Sequence, residues 1–128
     1  MYAFQRSYRY IETYVFSTNL YKITEQLRSK NLAYALNRLE TDIPEWGGGT
    51  RIGKSLDQYL RQYGFKTLDQ RTTVIILSDG WETGDVRLIK ASMKEIQRRS
   101  FKVIWLNPLL GNPKYRPETR GMKAAIPF

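Results

Sequence analysis

The chain has 128 residues, of which 41% are hydrophobic and 26% are charged, a balance typical of one globular domain. It contains neither cysteine nor histidine, which excludes a disulfide framework, a thiolate or imidazole metal site and a histidine general base. The net charge of +9 suits nucleic acid, an anionic membrane surface or an acidic protein partner, and no apolar run is long enough to span a membrane. A cytoplasmic location is therefore the default expectation.

The first half of the chain predicts two short strands followed by two helices. Residues 11–17 are rich in aromatic and β-branched side chains, and residues 20–24 form a second, weaker strand candidate after a turn. Residues 31–40 place leucines and an alanine on one helical face, and Ser29 is a possible cap. A further helix begins near Arg51 and is predicted to end at Gly64.

The second half predicts a strand, a helix and another strand. Residues 74–77 form a continuous apolar run, which predicts a strand buried on both faces of a parallel sheet. A helix capped by Asp85 follows, with the inward positions Val86, Ile89, Met93 and Ile96. Residues 101–108 contain a second apolar run and predict another buried strand. The alternation predicts an α/β fold of the Rossmann-like, doubly wound type, with a mainly parallel sheet and helices on both faces.

The stretch WGGGTRIGKSL matches the phosphate-binding pattern G-x-x-x-x-G-K-[ST] through Gly48, Gly53, Lys54 and Ser55. A working P-loop joins a buried strand to a helix, but the preceding LETDIPEW carries three acidic residues and a proline, unlike a central strand. Gly53 has a simpler explanation, because a glycine in the first turn of a helix permits close packing. Nucleotide binding through residues 48–55 is therefore the alternative interpretation.

Two polar residues are candidates for a metal site at the carboxyl end of the sheet. Thr50 offers a hydroxyl after the glycine run, and Asp79 offers a carboxylate after the strand, a combination that suits a hard cation such as Mg²⁺. Equally, Thr50 could cap a helix and Asp79 could form a turn. Trp81 is either an exposed partner anchor or a packing residue, and Glu82 and Asp85 are expected to be solvated loop or capping residues.

The segments VFST, WGGGTRIGKSL, TTVIILSDGWETGD, VIWLNPLLG and RGMKAAIPF together resemble the von Willebrand factor type A (VWA) domain. More narrowly, they are similar to the bacterial CoxE-like subfamily, named for carbon-monoxide-dehydrogenase accessory proteins. The resemblance implies a non-catalytic, partner-binding domain with a metal-ion-dependent adhesion site, in which Thr50 and Asp79 hold Mg²⁺. It also implies work beside a MoxR-type AAA+ ATPase in the maturation of a target enzyme.

One motif of that family has no counterpart in this sequence. The D-x-S-x-S motif, which normally follows the first strand, is missing, so we expect residues 1–128 to form a single, N-terminally truncated or degenerate VWA-like domain. Without it we expect Mg²⁺ to bind weakly or not at all. A sheet that lacks its central strand should also expose apolar edges and favour self-association. Nucleic-acid binding by the basic chain is a further, less favoured alternative.

Overall fold

The computed structural model describes residues 10–28, 31–43 and 49–128. Among these residues, the predicted strands and helices occur in the predicted order, and two short helices that were not predicted, Thr24–Leu27 and Arg120–Ala125, are present as well. The helices, in chain order, are α1 (Thr24–Leu27), α2 (Leu32–Asp42), α3 (Ile52–Tyr59), α4 (Phe65–Thr67), α5 (Val86–Arg99) and α6 (Arg120–Ala125). A π turn, Leu60–Gly64, joins α3 to α4, and a 3₁₀ turn covers Pro108–Gly111.

Two sheets of two strands each are formed by the described residues. Strands β1 (Tyr14–Phe16) and β2 (Leu20–Lys22) pair antiparallel as a hairpin. Strands β3 (Thr73–Leu77) and β4 (Lys102–Leu106) pair parallel, with α5 as the crossover. The predicted strands are therefore confirmed, and the parallel pairing is confirmed for β3 and β4.

The main core lies between the parallel strands and three helices. Because side chains alternate along a strand, Val74 and Ile76 point to one face of β3, and this face packs against α3, α5 and α6. The predicted inward residues of α5 all belong to it: Ile89, Met93 and Ile96 are buried and Val86 packs beside them. A second cluster, formed by Ile23, Leu27, Leu39 and Ile43, lies beneath the hairpin.

The prediction that residues 74–77 are buried on both faces is wrong. Ile76 is 4% exposed, whereas Leu77 is 60% exposed, and its partner in register, Leu106, is 48% exposed. The packed helices cover the face of Ile76, whereas on the other face Ile75 is half-buried and Leu77, at the end of the strand, is exposed. A continuous apolar run therefore does not imply that both faces are covered.

Two helix boundaries also differ from the prediction. Gly64 does not end its helix, because it keeps a right-handed helical conformation and the chain continues helically to Thr67. Helix α2 is capped by Asn31, whose side chain accepts a hydrogen bond from the Tyr34 amide. The predicted cap, Ser29, lies outside the described residues. The cap of α5 is Asp85, as predicted.

Candidate functional site

Three loops meet beside the amino-terminal end of α3. The amide of Arg51, at the start of α3, donates to the carbonyl of Ser17, which directly follows β1, at 2.9 Å. The amide of Thr83, in the loop after β3, donates to the carbonyl of Thr50 at 3.0 Å. Thr50 therefore lies between the hairpin and the loop that contains Asp79.

Thr50 is held through its backbone and leaves its side chain available. Its carbonyl also accepts a hydrogen bond from the hydroxyl of Thr83 at 3.0 Å. The Thr50 hydroxyl makes no hydrogen bond to any other described residue. The alternative in which Thr50 caps the helix is wrong, since the residue in the cap position of α3 is Arg51, which provides no side-chain cap.

Asp79 forms a tight turn at the carboxyl end of β3. Its Oδ1 accepts a hydrogen bond from the Trp81 amide at 2.9 Å, so the turn-forming role is confirmed. Gly80 follows with φ of +77°, a conformation that favours glycine, and a Cβ there would lie 2.5 Å from Cγ of Met122. The other carboxylate oxygen of Asp79, Oδ2, accepts no hydrogen bond from a described residue.

The C-terminal segment fixes this turn through the Asp79 carbonyl. That oxygen accepts hydrogen bonds from Thr119 Oγ1 at 3.1 Å, from the Tyr115 hydroxyl at 3.4 Å and from Asn107 Nδ2 at 3.4 Å. The Gly121 amide donates to the Gly80 carbonyl at 3.2 Å. No sequence pattern indicates this role for Tyr115 and Thr119, because they lie 36 and 40 residues after Asp79 and approach it only in the folded chain.

Glu82 is the buried acidic residue of the site. It is 6% exposed, and its Oε2 accepts a hydrogen bond from the amide of Gly53 in the first turn of α3 at 2.8 Å. Its other carboxylate oxygen accepts the amide of Gly84. A carboxylate at this position neutralises free amides and the positive end of the helix dipole. The expected capping role is confirmed. However, Glu82 lies in the loop that precedes α5 and caps α3 instead, and its side chain is buried rather than solvated.

This arrangement occupies the groups that a P-loop would present to phosphate. The Gly53 amide is bound by Glu82, and Lys54 Nζ donates to Asn19 Oδ1 at 2.8 Å. Ser55 is fully buried, so its hydroxyl is not placed to reach a nucleotide-bound metal ion. Gly53 itself packs closely on α5, as the simpler explanation proposed, since an added Cβ would lie 2.8 Å from Cβ of Leu88. The remaining glycine of the pattern, Gly48, lies outside the described residues.

The donor chemistry at Thr50 and Asp79 fits Mg²⁺ in type but is sparse. A hydroxyl and a carboxylate oxygen are both hard ligands. No group of three or more acidic residues that could hold a metal ion occurs in the ranges that the structure describes. The nearby carboxylate of Glu82 faces two amides, so it is not available as a further ligand.

Asp85, the remaining acidic residue of this loop, is engaged as the cap of α5. The hydrogen bond that it accepts from the Arg87 side chain lowers the pKa of its carboxyl group.

The tryptophans near the site differ in exposure. Trp81 is 64% exposed, so the packing interpretation is wrong, and its role as a partner anchor stays a prediction. Trp105 packs against the main core, and its indole N–H donates to the Ser78 carbonyl at 2.8 Å. Trp46 lies outside the described residues.

A helical crossover between parallel strands, with polar loops at their carboxyl ends, defines an α/β domain of the Rossmann-like class. The family model described as "VWA domain containing CoxE-like protein" matches residues 1–128, so the chain belongs to this family. No curated protein and no solved structure matches the chain. Membership indicates a protein-interaction module, and VWA domains are in general non-catalytic. Within the described ranges, every helix is too short or too polar to cross a lipid bilayer.

Proposed function

We propose that this chain is a non-catalytic docking module that serves, beside a MoxR-type AAA+ ATPase, in the maturation of a target enzyme. Its family supports the interaction role. The observation that carries the proposal is the loop surface at the carboxyl end of β3, where Asp79 is held by three donors and Trp81 is exposed. A fixed turn beside an exposed tryptophan is suited to docking, because little conformational entropy is lost when a partner binds.

Thr50 and Asp79 are, in this proposal, the remnant of a metal-ion-dependent adhesion site. The Thr50 hydroxyl and Asp79 Oδ2 are the oxygens left without hydrogen bonds to described residues, so they are the atoms that would contact Mg²⁺. With one formal negative charge between them, they compensate poorly for the dehydration of Mg²⁺. We therefore expect the metal to bind weakly, and the docking of a partner to depend mainly on other contacts.

The partner is tested by direct binding to the MoxR-type ATPase of the same organism, measured by biolayer interferometry with the full chain. We expect a dissociation constant of roughly micromolar order, weakened about tenfold by Trp81→Ala. Phe65→Ala is the matched control, because Phe65 is 86% exposed on α4, outside the three loops of the site. Absence of binding, or equal losses in both variants, would contradict the proposed docking site.

The metal is tested separately by isothermal titration with MgCl₂. We expect no binding in the micromolar range, and no difference between the unmodified chain and the Thr50→Ala or Asp79→Ala variants. Micromolar affinity that is lost in Asp79→Ala would show that a complete site forms, and would overturn the weak-metal part of the proposal. A titration with fluorescent ATP tests the nucleotide alternative, for which we expect no saturable signal.

A further inference from the structure

Exposed apolar side chains concentrate where the two parallel strands end. They are Leu77 and Leu106, the paired last residues of β3 and β4, and Trp81, Leu109 and Leu110 in the segments that follow. Their exposed fractions range from 43% for Leu109 to 64% for Trp81. Scattered exposed apolar residues are ordinary on protein surfaces, but a concentration at one end of a sheet indicates a binding surface.

Two cations flank this apolar group without carboxylate partners. Lys114 and Arg116 are exposed and form no ion pair with the other described residues, whereas Arg87 on α5 pairs with Asp85 at 2.8 Å. Tyr115, between the two cations, anchors them to this end of the sheet. Its hydroxyl donates a hydrogen bond to the Asp79 carbonyl at 3.4 Å and accepts one from Asn107 Nδ2 at 3.1 Å. The two cations are therefore held beside the ends of β3 and β4.

We infer that this apolar–basic surface, formed by Leu77, Trp81, Leu106, Leu109, Lys114 and Arg116, docks an acidic amphipathic helix of a partner protein without a divalent cation. The inference deepens the proposed function and depends on it. Leucine and tryptophan side chains suit the apolar face of a helix, and the unpaired cations suit carboxylates that border that face. The +9 charge of the whole chain would also steer an acidic segment toward it.

Two other occupants fit less well. A second copy of the chain would bring together two bodies of net charge +9, and their repulsion confines self-association to high protein concentration. An anionic membrane needs a denser cluster of cations than Lys114 and Arg116 supply, and the Asp79 carboxylate, in the same turn as Trp81, would repel lipid phosphates. A protein helix can place its acidic residues beside the cations and its apolar residues elsewhere.

The test uses a fluorescein-labelled amphipathic peptide of about 20 residues, with leucines on one helical face and glutamates on the other. Anisotropy is measured with the full chain in EDTA. We expect saturable binding that Trp81→Ala and the double variant Lys114→Glu/Arg116→Glu each weaken by about tenfold. Lys90→Glu/Lys94→Glu is the matched charge control, because both lysines are exposed on α5. Circular dichroism establishes that all variants fold alike.

Several outcomes would overturn the inference. The peptide could fail to bind, could bind only after MgCl₂ is added, or could bind equally well when lysines replace its glutamates. Equal weakening by the α5 control would show that only net charge matters. Sedimentation with phosphatidylserine vesicles in the absence of peptide binding would identify a membrane surface instead. If the peptide fails while the ATPase still binds, the proposed function stands and only the docking chemistry is wrong.

Discussion

Replacing Glu82 by alanine should destabilise the domain more than the loss of an exposed acidic side chain such as Glu118. The carboxylate is 6% exposed and accepts hydrogen bonds from the amides of Gly53 and Gly84. It thereby joins the loop after β3 to the start of α3, across 29 residues of sequence. In Glu82→Ala, both amides lose their acceptor, and the Gly53 amide stays at a buried position.

The expected loss follows from the two hydrogen bonds and the helix end. A hydrogen bond to a charged group contributes about 1.5–3 kcal/mol, and a buried donor left unsatisfied costs about 1–3 kcal/mol. A carboxylate at a helix amino terminus adds roughly 0.3–1 kcal/mol. Since these contributions overlap, we expect the free energy of unfolding to fall by about 3 kcal/mol in Glu82→Ala. That is a large fraction of the roughly 5–15 kcal/mol typical of a domain.

Urea unfolding, followed by far-ultraviolet circular dichroism, measures this loss. Glu82→Gln keeps the shape and one acceptor oxygen but removes the charge, so it should lose about half as much. Glu118→Ala is the matched control, because Glu118 is exposed and forms no ion pair within the described part of the chain; it should change stability by less than about 0.5 kcal/mol. A loss below about 1 kcal/mol in Glu82→Ala would refute the capping role.

Three further predictions concern packing, acid and association. Gly53→Ala should lower the melting temperature and destabilise by about 1–3 kcal/mol, because its Cβ would lie 2.8 Å from Cβ of Leu88; an unchanged melting curve would contradict this. Burial alone would raise the pKa of Glu12, but the hydrogen bond from Lys22 helps bring it below 4.5. The stabilisation that ionised Glu12 contributes is therefore fully present above about pH 4.5, and it is lost as the pH falls through the lower pKa of the folded state. Urea midpoints measured between these pH values should fall with pH in the unmodified chain and fall less in Glu12→Gln. Strand β3 pairs on one side only within the described residues, so the chain should self-associate at high concentration, and Leu77→Lys should reduce the mass measured by light scattering.

Local patterns were enough to predict strands β3 and β4 and helix α5 in the second half of the chain, but not helix α6. Helix α5 could be recognised because its cap, Asp85, and its apolar residues Ile89, Met93 and Ile96 all follow from spacing within one segment. The parallel strands could be recognised from short β-branched runs. The end of the helix near Gly64 was mispredicted, since a glycine can also keep a right-handed helical conformation when the chain continues as a π turn.

The candidate site could be predicted only in part from the sequence, because some of its residues are recognised by local pattern and others only by contacts in the folded chain. Thr50 and Asp79 could be nominated from the sequence, because Thr50 lies just before a recognisable helix, Asp79 lies just after a recognisable strand, and the family resemblance points to both. The role of Glu82 could not, since its partner is an amide 29 residues away and backbone amides have no sequence signature. The same holds for Tyr115 and Thr119, which fix the Asp79 turn from 36 and 40 residues away.

The sequence by itself therefore determined the α/β class, the order of the elements, the family and the residues nominated for a metal. Only the tertiary structure decided which face of β3 is covered, which leaves Leu77 exposed, and that the apparent P-loop amide of Gly53 is already bound by a carboxylate. The physical reason is the range of the interactions. Periodicity and caps act within about one helical turn, whereas burial and long-range hydrogen bonds depend on segments that meet only after folding.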